Sequence, residues 1–522
     1  MQQPPNIRIT FWVVLCLMVL SLNGCIKVGP NFSRPHAPCK QEWIDADSEK
    51  VSITEKQICC WWKAFNDPIL DKLIYIAYDQ NLPLQIACYR IMEARARLGI
   101  AIGEFFPQLQ EGIGSANREK LSKNAPNIGP TPDLYFKDYQ LGFQAAWELD
   151  FWGKFRRAIE SERAELCSSY ANYDNVLVLL LSDVAAIYVQ TRTIEEQIDI
   201  ILENIKVQER SLQIVNAQFQ GGFVSELDVQ QATTLLRGTE ARLPDLERQH
   251  RQAQNALSVL LGIAPQDLDC LLEGHGKIPD ADSEIWVNMP ESLLYRRPDV
   301  RQALFDAAAQ SARIGVAFAD FFPQISLTGV IALNSSGDSI ANVNMSSGNL
   351  LSRDSLSFNY GTNFAWPLLN YGRITNRVRV EKTRFCQLVI NYQNIVLRAY
   401  QEVEDGLVAF LKFQEQEEYL AESVKAAQRS VDLSVTQYVE GMVDYTRVLN
   451  TEQSLINEAE NHALAKGEIA LGLISTYRAL GGGWELKYHF EECYEEKEKD
   501  AEEFMETPVD KSGSPQWRGG LF

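Results

Sequence analysis

Apolar residues recur along this chain at two periods, and the change from one to the other organises the sequence. From Leu166, steps alternating four and three residues land on Tyr170, Tyr173, Leu177, Leu180, Val184, Ile187, Thr191, Ile194, Ile198, Ile201, Ile205, Gln208, Leu212, Val215 and Phe219. Only Thr191 and Gln208 interrupt the stripe. A second stripe runs from Phe385 through Tyr392, Val396, Ala399, Val403, Phe410, Leu420 and Val431 to Tyr438, with Gly406, Glu417 and Ser434 as its exceptions. A seven-residue repeat held this long keeps one seam turned toward a partner and imposes a left-handed supercoil. No proline lies between Lys154 and Phe219 or between Arg373 and Tyr438. Each stretch therefore predicts one unbroken helix, about 65 residues or roughly 100 Å long. Gly221-Gly222 and Gly441 end the two rods, glycine being a common helix terminator. A further helix follows each, Glu226 to Leu261 with a kink expected at Pro244, and Tyr445 to Leu480, so that each half holds a long antiparallel hairpin. Shorter helices are expected over Leu70 to Gly103 and Pro290 to Ala319.

Elsewhere the period falls to two. Tyr139, Leu141, Phe143, Ala145 and Trp147 alternate with Gln140, Gly142, Gln144 and Ala146. Leu356, Phe358, Tyr360, Thr362, Phe364 and Trp366 alternate with small or polar residues, as do Ile325, Leu327, Ile331 and Leu333. Pro107 to Ala116 is the weak member, reading with Glu111 on its apolar side. Segments of about ten residues, apolar on one face and ended by aromatic residues, fit the strands of a membrane barrel with lipid outside and water inside. A soluble sheet with one core face shares this period. The connections Asn117 to Asp138 and Ser335 to Ser355 are long and polar, as surface loops are.

These elements come twice. Trp147 to Gly153 matches Trp366 to Gly372, Gln218 to Gly222 matches Gln437 to Gly441, and Leu261-Gly262 matches Leu480-Gly481, all at an offset of 219 residues. The Phe-Phe-Pro-Gln segments at Phe105 and Phe321 are 216 apart. The expected organisation is a first repeat over 70–262, a Pro-, Gly- and Asp-rich linker over 263–289, and a second repeat over 290–483. Four strands cannot close a barrel, and an open edge cannot sit in lipid, so the chain is expected to oligomerise. Two copies give eight strands and a barrel filled by its own side chains; three give twelve and room for water. The fold class expected is an α+β membrane protein, a trimeric twelve-stranded β-barrel continued by a long α-helical coiled-coil barrel.

The ends of the chain add an address. Arg8 precedes an apolar run from Phe11 to Leu22, which suits a signal-peptide core and is short for a spanning helix. The run ends in Leu22-Asn23-Gly24-Cys25, a bacterial lipoprotein cleavage pattern that makes residues 1–24 the signal, Cys25 the lipidated residue and 25–69 an extended N-terminal segment. Residues 484–522 form an acidic tail expected to be disordered. The net charge of −20 excludes a nucleic-acid partner. Ten cysteines include no Cys-x-x-Cys pair and five histidines no metal-binding spacing, so neither a metal nor a cofactor is expected. In an oxidising compartment Cys39 can pair with Cys59 or Cys60. Arg296 to Arg301 admits a phosphate-binding reading, but Pro298-Asp299 is a good helix start, and Glu402, Glu404 and Asp405 read as a solvated helix face. No nucleophile–base constellation is present, and an enzyme is not expected.

Taken together, Val28-Gly29-Pro30-Asn31-Phe32, the Trp61 to Pro68 segment WWKAFNDP, Arg296-Arg297-Pro298-Asp299-Val300-Arg301, both FFPQ segments and Gln401 to Asp405 resemble the outer membrane efflux protein family of TolC/OprM type, in its NodT-like lipoprotein branch. The resemblance covers Cys25 to about Gly483. It implies a homotrimeric outer-membrane channel, lipid-anchored with a periplasmic helical extension. Such a channel is a passive exit duct for small molecules or metal ions, working with a periplasmic adaptor and an inner-membrane transporter. By position it makes Asp228 and Tyr438 members of a lock at the periplasmic tip, with Thr446, Arg447 and Asn450 nearby, and Gly221, Gly222 and Gly441 the docking tips. Asn450 stands where an aspartate is common, which departs from an acidic, cation-binding ring. Two other readings stay open: a duct for a type I protein secretion system, and a non-channel coiled-coil envelope scaffold.

Overall fold

The computed structural model describes residues 27–490 except 39, 41, 54–58, 123, 125–134, 281–284, 288 and 339–349. The signal segment 1–24, Cys25, Cys39 and the acidic run from Glu491 lie outside the described residues. In chain order the elements are β1 (Val51–Ile53), α1 (Pro68–Gln80), α2 (Leu82–Phe105), β2 (Leu109–Lys120), β3 (Tyr135–Glu148), α3 (Lys154–Gln220), α4 (Glu226–Glu240), α5 (Leu243–Leu260), β4 (Ile285–Val287), α6 (Pro298–Ala319), β5 (Gln324–Asp338), β6 (Leu356–Ala365), α7 (Arg373–Val439) and α8 (Tyr445–Ala479). The expected rods are α3 and α7, each 67 residues. Four boundaries differ from the sequence reading. The helix expected over Pro290 to Ala319 is a 3-10 turn, Pro290–Ser292, a short helix, Leu293–Arg296, and α6, with extended Arg297 breaking the chain before Pro298. The helix expected over Leu70 to Gly103 is two, split at Asn81, whose side chain bonds Leu260 O (2.9 Å) and the Leu84 amide (2.9 Å). The kink expected at Pro244 is a full break between α4 and α5, Pro244 sitting in the first turn of α5, where a missing N–H costs nothing. The strands extend into segments read as loops, to Lys120 and Asp338 and from Tyr135.

The chain forms two compact units. One takes the described residues up to 37 with 88–171 and 300–395 and contains the sheet. Its strands lie in the order β2-β3-β5-β6, all antiparallel, which leaves β2 and β6 as edges. The register aligns one face across four strands. Gly112 pairs with Phe143, Phe143 with Ile331, and Ile331 with Phe358; Gly114, Leu141, Leu333 and Leu356 form the next row. Phe143, Ile331, Phe358, Tyr360 and Phe364 are all exposed. The other face is polar: Gln144 donates to Glu111, Asn334 to Ser357 (2.6 Å) and Asn363 to Thr328 (3.3 Å). Glu111, opposite Gln144, therefore belongs to the polar face, which corrects its placement on the apolar side of this strand.

Indole N–H groups tie the sheet's base to the chain entering it. Trp147 donates to Phe105 O (3.1 Å), Trp366 to Phe321 O (3.0 Å) and Trp152 to Pro323 O (2.8 Å). The fully buried Arg157 holds the segment that follows Cys25, donating to Val28 O, Gly29 O and Asn31 Oδ1, each at 3.0 Å.

The other unit holds 38–87, 172–299 and the described residues from 396. The apolar seam of α3 is its core: Leu177, Leu180, Val184, Ile194, Ile198 and Ile201 are buried. β1 pairs in parallel with β4. Arg297 is structural, donating to Ala479 O (3.0 Å), Asp299 and Glu402. Glu404 accepts from the Ile44 amide (3.1 Å), so Glu402 and Glu404, expected on a merely solvated face, brace neighbouring segments. The folded chain also runs past residue 483: a 3-10 helix, Trp484–Phe490, buries Leu486 and pairs Lys487 with Asp174.

Candidate functional site at the helical tips

Two glycine turns, α3–α4 and α7–α8, end the hairpins. After α3 the Phe223 amide donates to Gln218 O (2.9 Å) and Gly222 to Phe219 O (2.9 Å), with Gly222 at φ 76°. After α7 the Met442 amide donates to Gln437 O (2.9 Å) and Gly441 to Tyr438 O (3.0 Å), with Gly441 at φ 73°. Both use a left-handed residue to return the chain and satisfy the last carbonyls. Gly221 precedes the left-handed residue in the first turn. Each turn displays apolar residues: Phe223 is 84% and Met442 64% exposed, with Phe219, Leu227 and Val439 also exposed.

Beneath the turns the seam closes over a small core of Val215, Ala232, Tyr438, Tyr445 and Val448. The Tyr438 and Tyr445 rings meet edge to face at 5.4 Å. Tyr438 is buried in its own chain, and its hydroxyl has no hydrogen-bond partner among the described residues. Burial, then the nearby charge of Asp228, pushes its phenol up to about 12. Asp228, half-buried in the first turn of α4, therefore stands beside Tyr438 without a hydrogen bond to it. Thr446, Arg447 and Asn450 are brought together on the exposed face of the first turns of α8, three and four residues apart, while Tyr445, Val448 and Glu452 face inward.

Glu452 escapes sequence reasoning. Its carboxyl is buried, with one oxygen accepting from Ser211 and the other without a partner among the described residues; the Gln208 amide, also buried, has none either. Burial raises the Glu452 pKa, and the Ser211 hydroxyl offsets part of this. Gln208 was visible as a break in the seam; Glu452 lies on an amphipathic helix rich in acids, where one carboxylate more carries no signal. No cluster of three or more metal-ligating side chains occurs among the described residues.

The family model described as "Outer membrane efflux protein" matches residues 73–263 and 289–482. The chain is 30% identical over 488 residues to "Cation efflux system protein CusC" of Escherichia coli O157:H7, covering 90% of this chain and 98% of that protein. It is 28% identical over 470 residues to "Probable outer membrane lipoprotein SilC" of Salmonella typhimurium, covering 89% and 97%. Among solved structures it superposes on the outer-membrane channel OprN with a TM-score of 0.81 at 28% identity, covering 88% of this chain and 99% of that one. On CusC the TM-score is 0.73 at 26% identity, over 87% and 100%. With long seamed hairpins and a sheet exposing an apolar face, both halves matched along nearly their full length, the chain belongs to the outer membrane efflux protein family and is an outer-membrane efflux channel protein.

Proposed function

We propose that three copies of the chain close a passive exit duct for small molecules or metal ions, each contributing four strands to a twelve-stranded barrel that continues into a helical barrel. One observation carries this reading: a four-stranded sheet with two unpaired edges and an exposed apolar face. In lipid the edge groups of β2 and β6 need partners, and another copy of the same sheet supplies them. The polar face then lines the lumen. The glycine turns, with Phe223 and Met442 displayed, are the docking tips for a periplasmic adaptor, through which an inner-membrane transporter feeds the duct. Asp228, Thr446, Arg447 and Asn450 form the gate. Tyr438 acts there as a positioning residue, its ring packed under the start of α4. Cys25 carries the lipid anchor.

Charge placed on either face of β3 tests the reading. Phe143→Arg puts a cation in the hydrocarbon, at a cost of about 2–4 kcal/mol near the midplane. It should abolish insertion into planar bilayers, while Gln144→Arg should insert and shift the conducted current toward anions. Insertion of Phe143→Arg at the wild-type level would contradict the assignment of the faces.

A further inference from the structure

The two repeats enter their long helices differently. In the first, the chain leaving β3 carries Glu148 and Asp150, and both neutralise cations at the start of α3. Lys154 pairs with Glu148 (3.2 Å) and Arg156 with Asp150 (2.9 Å). Arg157 is buried there, and Trp152 stacks on Phe322 at 4.6 Å. At the repeat offset of 219, Pro367 stands for Glu148, Leu369 for Asp150 and Tyr371 for Trp152. The carboxylates are gone and the ring is unpacked: Tyr371 is 97% and Leu369 84% exposed, with Trp366 and Leu368 also exposed. Tyr371 takes a left-handed backbone (φ 49°), rare for a bulky residue. Trp366 continues the alternation of Phe358, Tyr360 and Phe364, so the exposed apolar face of β6 runs on into this turn. The first twelve residues of α7, Arg373 to Arg384, then carry five cations and one carboxylate, a net charge of +4 in a chain of −20. All five cations are exposed. The matching stretch of the first repeat, Lys154 to Glu165, carries four cations and three carboxylates. Arg377 pairs with Asp320 (3.2 Å) and Arg384 with Glu381 (3.1 Å), yet their side chains stay 67% and 61% exposed.

We propose that this turn and the start of α7 form a docking surface for anionic glycerophospholipid headgroups in the periplasmic leaflet of the outer membrane. The apolar side chains enter the interface and the cations hold the phosphodiesters. The inference rests on the membrane reading of the sheet. Aromatic residues at the edge of a lipid-facing surface followed by clustered cations are the arrangement an anionic bilayer surface attracts. Dimensions agree. The stretch from Arg373 to Arg384 rises about 16 Å along the helix, and the headgroup layer beyond the hydrocarbon is about 5–8 Å deep. Arg and Lys stems reach along apolar surface toward such a layer with the charge at their tip. A second copy is the other candidate occupant. Where β6 meets β2 of a neighbour, the helix leading into β2 is α2, which carries Arg90, Arg95 and Arg97 against Glu93 and Glu104. That helix brings no net negative charge to match the cations, whereas a phosphodiester surface does.

The test uses the full-length protein in nonionic detergent, titrated with phosphatidylglycerol, phosphatidylcholine or inorganic phosphate. Native mass spectrometry should show phosphatidylglycerol retained where phosphatidylcholine is not. Phosphatidylglycerol, but not phosphate, should protect Lys382 from amine acylation. Arg373→Gln, Arg379→Gln and Lys382→Gln combined, the three cations outside the two ion pairs, should weaken retention at least about fivefold, the factor one cation is worth at an anionic surface. Arg398→Gln, Lys425→Gln and Arg429→Gln combined make the same charge change further along α7 and should bind as wild type does. So should the charge-keeping set Arg373→Lys, Arg379→Lys and Lys382→Arg. Equal retention of the two lipids, equal weakening by the distant set, or protection by phosphate alone would each overturn the proposal. Lys382 already shielded in the lipid-free trimer would put a neighbouring copy on the patch and overturn it too. Should the first glutamine set fail to assemble, salt replaces it: the wild-type preference should fade between about 0.05 and 0.5 M as screening grows, and a preference indifferent to salt would overturn the proposal. A wild-type chain that neither trimerises nor conducts defeats the membrane reading itself; a conducting trimer without the lipid preference defeats this inference alone.

Discussion

At the scale of single residues, the tip is defined by polar groups set into an apolar seam. Asp228 is half-buried at the start of α4, and the proposed lock has it meet another copy, whereas the Tyr438 hydroxyl is enclosed by its own chain. Asp228→Ala should therefore raise single-channel conductance in planar bilayers, and Tyr438→Phe, which keeps the ring, should change it little. Conductance of Asp228→Ala equal to wild type would count against a lock at this position. Glu452 makes a different prediction. Its folded pKa is raised, so the folded state holds the proton more tightly than the unfolded chain. The stability this confers is complete below the unfolded carboxyl value of about 4.3 and is lost as pH rises through the higher folded value. Glu452→Gln keeps the donor–acceptor shape without the charge, and its melting temperature relative to wild type should climb as pH rises above the unfolded carboxyl value of about 4.3. A difference that does not change with pH from below that value upward would show that Glu452 does not titrate in the fold. This residue was illegible in the sequence because burial of one acid among many on α8 depends on which neighbour, here Ser211, the opposite helix presents.

At the scale of elements, legibility followed the length of the pattern. The stripes of α3 and α7 repeat over sixteen positions, so a few exceptions such as Thr191 or Glu417 do not obscure the period. Thr191 is itself buried and returns its hydroxyl to Ile187 O (2.8 Å), a local bond that removes the cost of a polar break. β2 is the opposite case. Its apolar face carries Gly112 and Gly114, which give no hydropathic signal, and Ile113 faces the polar side, so alternation alone chose the wrong parity. Only pairing with β3 fixes it. The split at Asn81 was likewise hidden, because it depends on a carbonyl 179 residues away. The glycine turns were readable, since a long seam must end somewhere and glycine alone takes a left-handed turn without strain. Gly441→Ala meets no atom within 4 Å, so any effect is backbone strain at φ 73°. It should weaken the α7–α8 turn by about 1–2 kcal/mol, seen as faster amide exchange at Tyr438 to Tyr445 with the remainder of α7 unchanged. Exchange indistinguishable from wild type would show that the turn tolerates a side chain in this conformation.

At the scale of the whole molecule, the sequence already held the argument for assembly, because four strands in lipid leave edges that one chain cannot satisfy. Cargo was not readable and need not be, since a passive duct works without a binding pocket. The central claim is that three sheets join edge to edge into a conducting pore. Native mass spectrometry of the detergent-extracted, full-length protein, with the same sample then added to planar bilayers, addresses it directly. The account predicts a particle of three chains that conducts ions. A water-soluble single chain, with Phe143 and Phe358 shielded from surface labelling and no conductance, would contradict it.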